Sequence, residues 1–328
     1  MDADIELENP HPLVPLPHEI LWFPAGDVIL STDRYLFKVH KDILSFQSSV
    51  FKDMFDFPAV KRPQSGRRYT GDPLEVYEGL PVVRLIGDEA EGVVHLLRTV
   101  YERQYYCRDD INTPLVVLTS LLELSAKYDF QQIRRDIIVQ IMNEYPTSSP
   151  DTFDAFNISF APAFGTERIF CHFPLLKAVF KAKIDALLPL LYYACSGFHY
   201  KHILAEADIL DAECLHTLIL GKAQLLSKTN AIVGRIPDIV RDVVSKCERD
   251  CPNVVRITCL EKLLGSASLS HIEGSHAVFL CVKGTCRECD KRIVSKINKQ
   301  REDLWEEVPS FFGFQGWYHW QILEELSD

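Results

Sequence analysis

What this chain lacks narrows it before any motif is considered. No apolar run approaches the roughly 20 residues that a bilayer core requires. The densest, ALLPLLYYAC at 186–195, contains Pro189 and reads as a buried helix, so no membrane partner is expected. Basic charge is scarce as well: 35 Lys and Arg stand against 46 Asp and Glu, a formal net charge of −11. A surface of that sign repels a phosphate backbone, because nonspecific nucleic-acid affinity comes from Lys and Arg displacing counterions, and direct nucleic-acid binding is not expected. The opening MDADIELENPHPLVPLPHEI has no basic start, apolar centre or small-residue cleavage site of a secretory signal. The expectation is an intracellular chain, cytoplasmic or nuclear, whose 10 cysteines are reduced thiols.

Catalytic signatures are also missing. There is no G-x-S-x-G elbow, no G-x-x-x-x-G-K-[ST] phosphate loop, no G-x-G-x-x-G and no H-E-x-x-H. Acidic pairs such as Asp109-Asp110 and Glu306-Glu307 lie in polar stretches that read as solvated surface. No catalytic residue is assigned, no cofactor is expected, and the chain is read as a non-enzyme.

What is present suits two domains, since 328 residues exceed one typical domain. Prolines at 10, 12, 15, 17 and 24 mark residues 1–24 as an extended, acidic, mobile leader outside the core. Asp27–Ser31 is a short β-type run and Tyr35–Val39 alternates as a strand, and with a turn at 31–34 between them they give a β-hairpin. The period then changes: Val39, Ile43, Leu44, Val50, Phe51, Met54 and Phe55 recur at helical steps, with Ser48 placed to cap the second helix. The Pro-, Gly- and charge-rich 58–81 reads as a loop carrying the basic cluster Lys61, Arg62, Arg67 and Arg68. Val82–Ile86 restores a strand, Asp88 and Glu91 resemble a capping box, and Val93 to Tyr101 forms an apolar helical stripe. A helical hairpin follows, ending at Pro146. Beyond it helices are expected at 174–195, 212–228, 236–250, 254–265 and 287–307, with strand alternation only at 277–282.

The order hairpin, two short helices, strand, helix, helical hairpin resembles that of a BTB/POZ domain, and DVILSTDRYLFKVHKDILSFQSSVFKDMF resembles that family's signature. The matching positions are Phe37, Val39, His40, Lys41, Ile43, Leu44, Val50, Phe51, Met54 and Phe55, with Tyr101 as the aromatic residue near the end of the later helix. The proline-rich leader, FKDMF before a polar insertion and the ending LWEEVPSFFGFQGW resemble a group of fungal BTB proteins. The fold class is therefore read as α+β: a leader at 1–24, a BTB/POZ domain of small sheet and helices at 25–145, and an all-α C-terminal region with an aromatic tail at 146–328.

The resemblance implies a protein-interaction adaptor or scaffold with protein partners, a homodimer among them. In that family an Asp of the first strand and a basic residue fourteen positions later can form a charge pair at the dimer surface, and Asp27 and Lys41 have this spacing. A solvated Lys41 and an Asp27 that only caps the strand is the plainer reading. His40 is read as a hydrogen-bonded structural residue. Other family members present substrates to cullin-type ubiquitin ligases, some through an apolar-x-Glu motif, a pattern that Val76-Tyr77-Glu78 fits but that is common by chance. A cullin scaffold is thus an alternative partner.

An alternative of another class is a metal- or thiol-dependent activity in the C-terminal region. Cys286 and Cys289 form a C-x-x-C knuckle, and Cys247 and Cys251, four apart and so on one helix face, would complete four ligands for a tetrahedral Zn²⁺. The plainer reading is small thiols serving as core residues without metal. Trp305, Trp317 and Trp320 crowd the last 24 residues with Phe311, Phe312 and Phe314, and this tail is expected to dock on its own helical region.

Overall fold

The computed structural model describes residues 14–56, 76–158 and 160–317. The chain divides into two compact units between Ile137 and Ile138, within a helix of the expected helical hairpin. The first thirteen residues, the basic cluster at 61–68, and the chain end from 318 with Trp320 lie outside the described residues.

The first unit runs β1 (Leu16–Trp22), β2 (Val28–Ser31), β3 (Tyr35–Val39), α1 (Lys41–Gln47), α2 (Ser49–Asp56), β4 (Val76–Tyr77), β5 (Leu80–Arg84), α3 (Ala90–Tyr101), α4 (Leu115–Lys127) and the first half of α5 (Gln131–Glu144). The strands form one mixed sheet in the order β1-β3-β2-β5-β4. Antiparallel β2 and β3 pair Val28 with Val39 and Ser31 with Leu36, while β2 runs parallel to β5 with Ile29 opposite Val82. All four residues of β2 are buried, which is why VILS reads as a continuous rather than alternating strand. Thr32 closes the expected turn by accepting the Tyr35 N–H at 3.0 Å.

The leader is corrected here. Residues 16–22 are not an extended arm but strand β1, paired parallel to β3, with Leu21 fully buried. Pro17 is tolerated because β1 is an edge strand, where a missing N–H need not break a ladder. The capping box is also displaced. The cap of α3 is Glu89, without a side-chain bond, and Asp88 instead accepts from Lys127 Nζ at 2.6 Å and from the Tyr128 hydroxyl. That carboxylate ties the turn after β5 to the end of α4.

The second unit holds α6 (Pro150–Phe156), β6 (Pro162–Ala163), β7 (Thr166–Glu167), α7 (His172–Lys181), α8 (Leu188–Ser196), α9 (Tyr200–Ala205), α10 (Ala212–Val244), α11 (Ile257–Leu260), α12 (Gly274–Cys281) and α13 (Arg287–Phe311). It is mainly helical rather than all-α, since β6 and β7 pair as a small antiparallel hairpin. The helix expected at 174–195 is broken where Lys183 takes φ 54° and Pro189 restarts the chain as α8. The two helices expected at 212–228 and 236–250 are one, α10, which carries Pro237 in its interior and stops at Val244. The strand expected at 277–282 is helix α12 up to Cys281, because Glu273 accepts the Ser275 and His276 amides at 2.9 and 2.8 Å and starts a helix there. Ala277 and Cys281, four apart, then share its buried face.

The aromatic tail docks within this unit as far as it is described. Trp305 is buried and donates to the Thr147 carbonyl at 2.9 Å. Trp317 stacks on Trp305 at 4.4 Å, and Phe312 stacks on Tyr192 at 5.2 Å. No helix among the described residues is long and apolar enough to cross a membrane.

Candidate functional site

The signature segment acts first as core. Phe37, Val39, Leu44 and Phe51 are buried, whereas Ile43 lies 37 % exposed on the outer face of α1. His40 is held by its backbone: its N–H donates to the Tyr101 hydroxyl at 2.9 Å, and Phe23 stacks on the Tyr101 ring at 4.5 Å. The turn from β3 into α1 is thereby fixed against the end of α3. Ser48 begins α2, accepting the Phe51 N–H at 3.0 Å while donating to the Tyr128 carbonyl at 2.5 Å.

Asp27 and Lys41 are brought together, though through the main chain. The Asp27 carboxylate accepts the Lys41 backbone N–H at 2.8 Å, so Asp27 satisfies the first turn of α1, where unpaired amides favour an anion. Among the described residues no ion pair joins the Lys41 ammonium to Asp27. Val76 stands 60 % exposed in β4, and Glu78 takes φ 50° in the turn into β5. The sequence did not single out Phe46, which is 90 % exposed on α1 beside a cleft of about 490 Å³ shared with Ser49, Lys52, Asp129 and Arg135. An isolated Phe off the buried stripe gives no periodic signal.

The second cluster lies in the helical unit. Cys171, Cys195, Cys214 and Cys281 are buried core thiols, and burial pushes the Cys171 and Cys214 thiols up to about 11. Cys247, Cys251, Cys286 and Cys289 are arranged differently: their four sulfurs all lie within 4.8 Å of one another. Cys247 Sγ is 3.5 Å from Cys251 Sγ and 3.9 Å from Cys286 Sγ. The two upstream cysteines do not share a helix face, because α10 ends at Val244 and the chain turns through Asp250, at φ 49°. Cys286 is the N-cap of α13, and Cys289 sits in its first turn.

One short bridge with two hydrogen bonds holds these loops together. Val255 bridges Val282, the Arg256 N–H donates to the Cys281 carbonyl at 2.8 Å, and the Lys283 N–H to the Val254 carbonyl at 3.2 Å. Gly284, at φ 78°, makes the turn into Cys286, and a Cβ there would meet Pro252 at 2.8 Å. Backbone amides point at the sulfurs: Arg249 N–H at Cys247, 3.4 Å, and Cys286 N–H at Cys251, 3.2 Å. The amide of Cys289 at the start of α13 holds the Cys286 thiol down to about 6, while desolvation raises that of Cys289. Chemically this is a set of four soft ligands on a preformed frame.

No family model matches the chain, and neither a curated protein nor a solved structure does.

Proposed function

We propose that this chain is a protein-interaction adaptor or scaffold, built on a BTB/POZ-type N-terminal unit, that self-associates along β1. The observation that carries the reading is the character of that strand. β1 pairs with β3 on one side only, among the described residues, and Leu16 and Ile20 are 66 % and 55 % exposed. The register against β3 shifts between Pro17 and Trp22, so β1 is an irregular edge on which both side chains stand open to solvent. An edge strand is a surface on which a second copy can dock, and exposed apolar side chains add the burial that makes docking favourable. Pro15 and Pro17 lack an N–H, and the Ile20 and Leu21 amides donate to His18 Nδ1 at 3.3 and 3.2 Å, so the contact would rest chiefly on burial of Leu16 and Ile20 rather than on a full ladder.

Support also comes from the signature positions, which build the core that holds β1, β3 and α1 in place. The reading is one of recognition rather than catalysis, and Asp27 enters it as the residue that fixes α1. Sedimentation velocity of the full chain at micromolar concentration tests it. A dimer is expected, and Leu16→Glu with Ile20→Glu should shift it to monomer while leaving the far-UV spectrum unchanged. A strict monomer at tens of micromolar would remove self-association from the proposal.

A further inference from the structure

We propose that Cys247, Cys251, Cys286 and Cys289 bind one zinc ion as a closed tetrathiolate site that fastens the loop after α10 to the start of α13. The inference rests on the helical unit alone and stands whether or not the chain self-associates.

The spacing of the sulfurs is the first argument. A zinc–thiolate bond of about 2.3 Å in tetrahedral geometry sets the sulfurs about 3.8 Å apart along each edge. The distances from Cys247 to Cys251 and to Cys286 are 3.5 and 3.9 Å, and no two of the four sulfurs are further apart than 4.8 Å. Four sulfurs packed only to fill a core have no reason to converge on one point, and three of these four residues are incompletely buried. The convergence is produced by two loops that each turn through a left-handed residue, Asp250 before Cys251 and Gly284 before Cys286.

The surroundings suit an anionic centre. Zinc with four thiolates carries a charge near −2. The N–H groups of Arg249 and Cys286 face the sulfurs of Cys247 and Cys251, the outer contacts that orient metal-bound thiolates. Along 283–292 four cations, Lys283, Arg287, Lys291 and Arg292, stand against Glu288 and Asp290, leaving positive charge beside the cluster.

The ligand set also selects among metals and roles. Four sulfurs in a tetrahedron fit zinc or iron–sulfur chemistry rather than oxygen-seeking cations. A four-iron cluster binds each thiolate to a different iron and so spreads the sulfurs further than this cage. Four protein ligands leave no open position for water or substrate, which makes the site structural rather than catalytic. A redox C-x-x-C needs only its own two sulfurs, whereas four converge here. Binding releases to solvent the protons held by the thiols, and no electron is transferred.

The test is elemental analysis of the full chain, purified in reductant without chelator. About one zinc per chain is expected. Cys286→Ser with Cys289→Ser should lower the zinc content about tenfold or more, whereas Cys107→Ser, at an exposed thiol outside the cluster, should leave it unchanged. Because the double variant can fail to fold, the native chain is also stripped with chelator under reductant and titrated with Co²⁺. A tetrahedral tetrathiolate gives intense visible bands and near-ultraviolet sulfur-to-cobalt charge transfer, both bleached by equimolar Zn²⁺. Iron in place of zinc, or zinc below about a tenth per chain together with a weak octahedral cobalt spectrum, would overturn the proposal.

Discussion

At the scale of single residues, the side chains whose chemistry is most altered are those whose surroundings come from distant parts of the chain. His172 is 3 % exposed, with the Tyr145 hydroxyl 2.9 Å from its Nδ1, and burial, reinforced by the nearby Arg168 guanidinium, pushes its pKa down to about 4. Nothing in HFPLLK announces this, since a histidine's charge state depends on what is packed around it. His40, by contrast, was legible as structural because it stands inside a recognisable segment. The depressed value has a thermodynamic consequence. The unfolded histidine titrates near its ordinary value of about 6.5, so between about pH 6.5 and 4 the unfolded chain binds the extra proton. His172 therefore contributes stability above about pH 6.5 that is lost as the pH falls, amounting to about 3 kcal/mol once the pH is below about 4. Urea unfolding of the chain and of His172→Gln at about pH 7 and about pH 4 checks it: the variant should lose less stability on acidification by about that amount. Equal losses in the two proteins would mean that His172 is not held neutral.

At the scale of elements, the hairpin, α2, α3 and the helical hairpin were legible because each carries its own period and ends at its own turn. The second unit was less so, since its helix ends are decided by backbone turns and by packing. Lys183 at φ 54° breaks one expected helix, and α10 runs through Pro237 because its length lies along α13 and α8. Two glycines of α10 separate local propensity from packing. A Cβ on Gly234 meets nothing within 4 Å, so Gly234→Ala should raise stability by about 0.5–1 kcal/mol through helix propensity. A Cβ on Gly221 would collide with the Phe312 ring and lie 3.0 Å from the Phe311 carbonyl. Overpacking of that kind costs about 1–3 kcal/mol, so Gly221→Ala should destabilise despite the same propensity gain. Denaturant melts of opposite sign are expected, and a stabilising Gly221→Ala would mean that the tail does not dock on α10. Arg301 ties α13 to two further segments: it is 1 % exposed, donates to the Leu269 carbonyl at 2.8 Å and pairs with Asp151 and Asp154 of α6. Arg301→Met leaves the Asp154 carboxylate largely buried without its cation, a loss of about 3–5 kcal/mol by the same measurement.

At the scale of the whole molecule, the four cysteines were legible in the sequence as a candidate set, but the placement of Cys247 and Cys251 was not, because they lie in the loop after α10 rather than on a helix face and meet the C-x-x-C knuckle through turns on either side of α11 and α12. The chain's net charge of −11 was plain from composition, and it bears on how two copies would meet. Two such molecules repel, and that repulsion is screened as the Debye length shrinks from about 20 Å near 0.02 M salt to about 6 Å near 0.3 M. Association through Leu16 and Ile20 of β1 has no attractive charge term of its own to lose, so added salt should tighten it. Association through Asp27 and Lys41 as an intermolecular ion pair would respond in the opposite sense, because screening weakens such a pair. The bond from the Lys41 amide to Asp27 already uses that carboxylate within one copy. Equilibrium sedimentation of the full chain over this salt range should therefore show a dissociation constant that falls as salt rises. A dissociation constant that rises steeply instead would move the contact from β1 to the charge pair, and Asp27→Asn would then weaken the dimer where Leu16→Glu with Ile20→Glu would not.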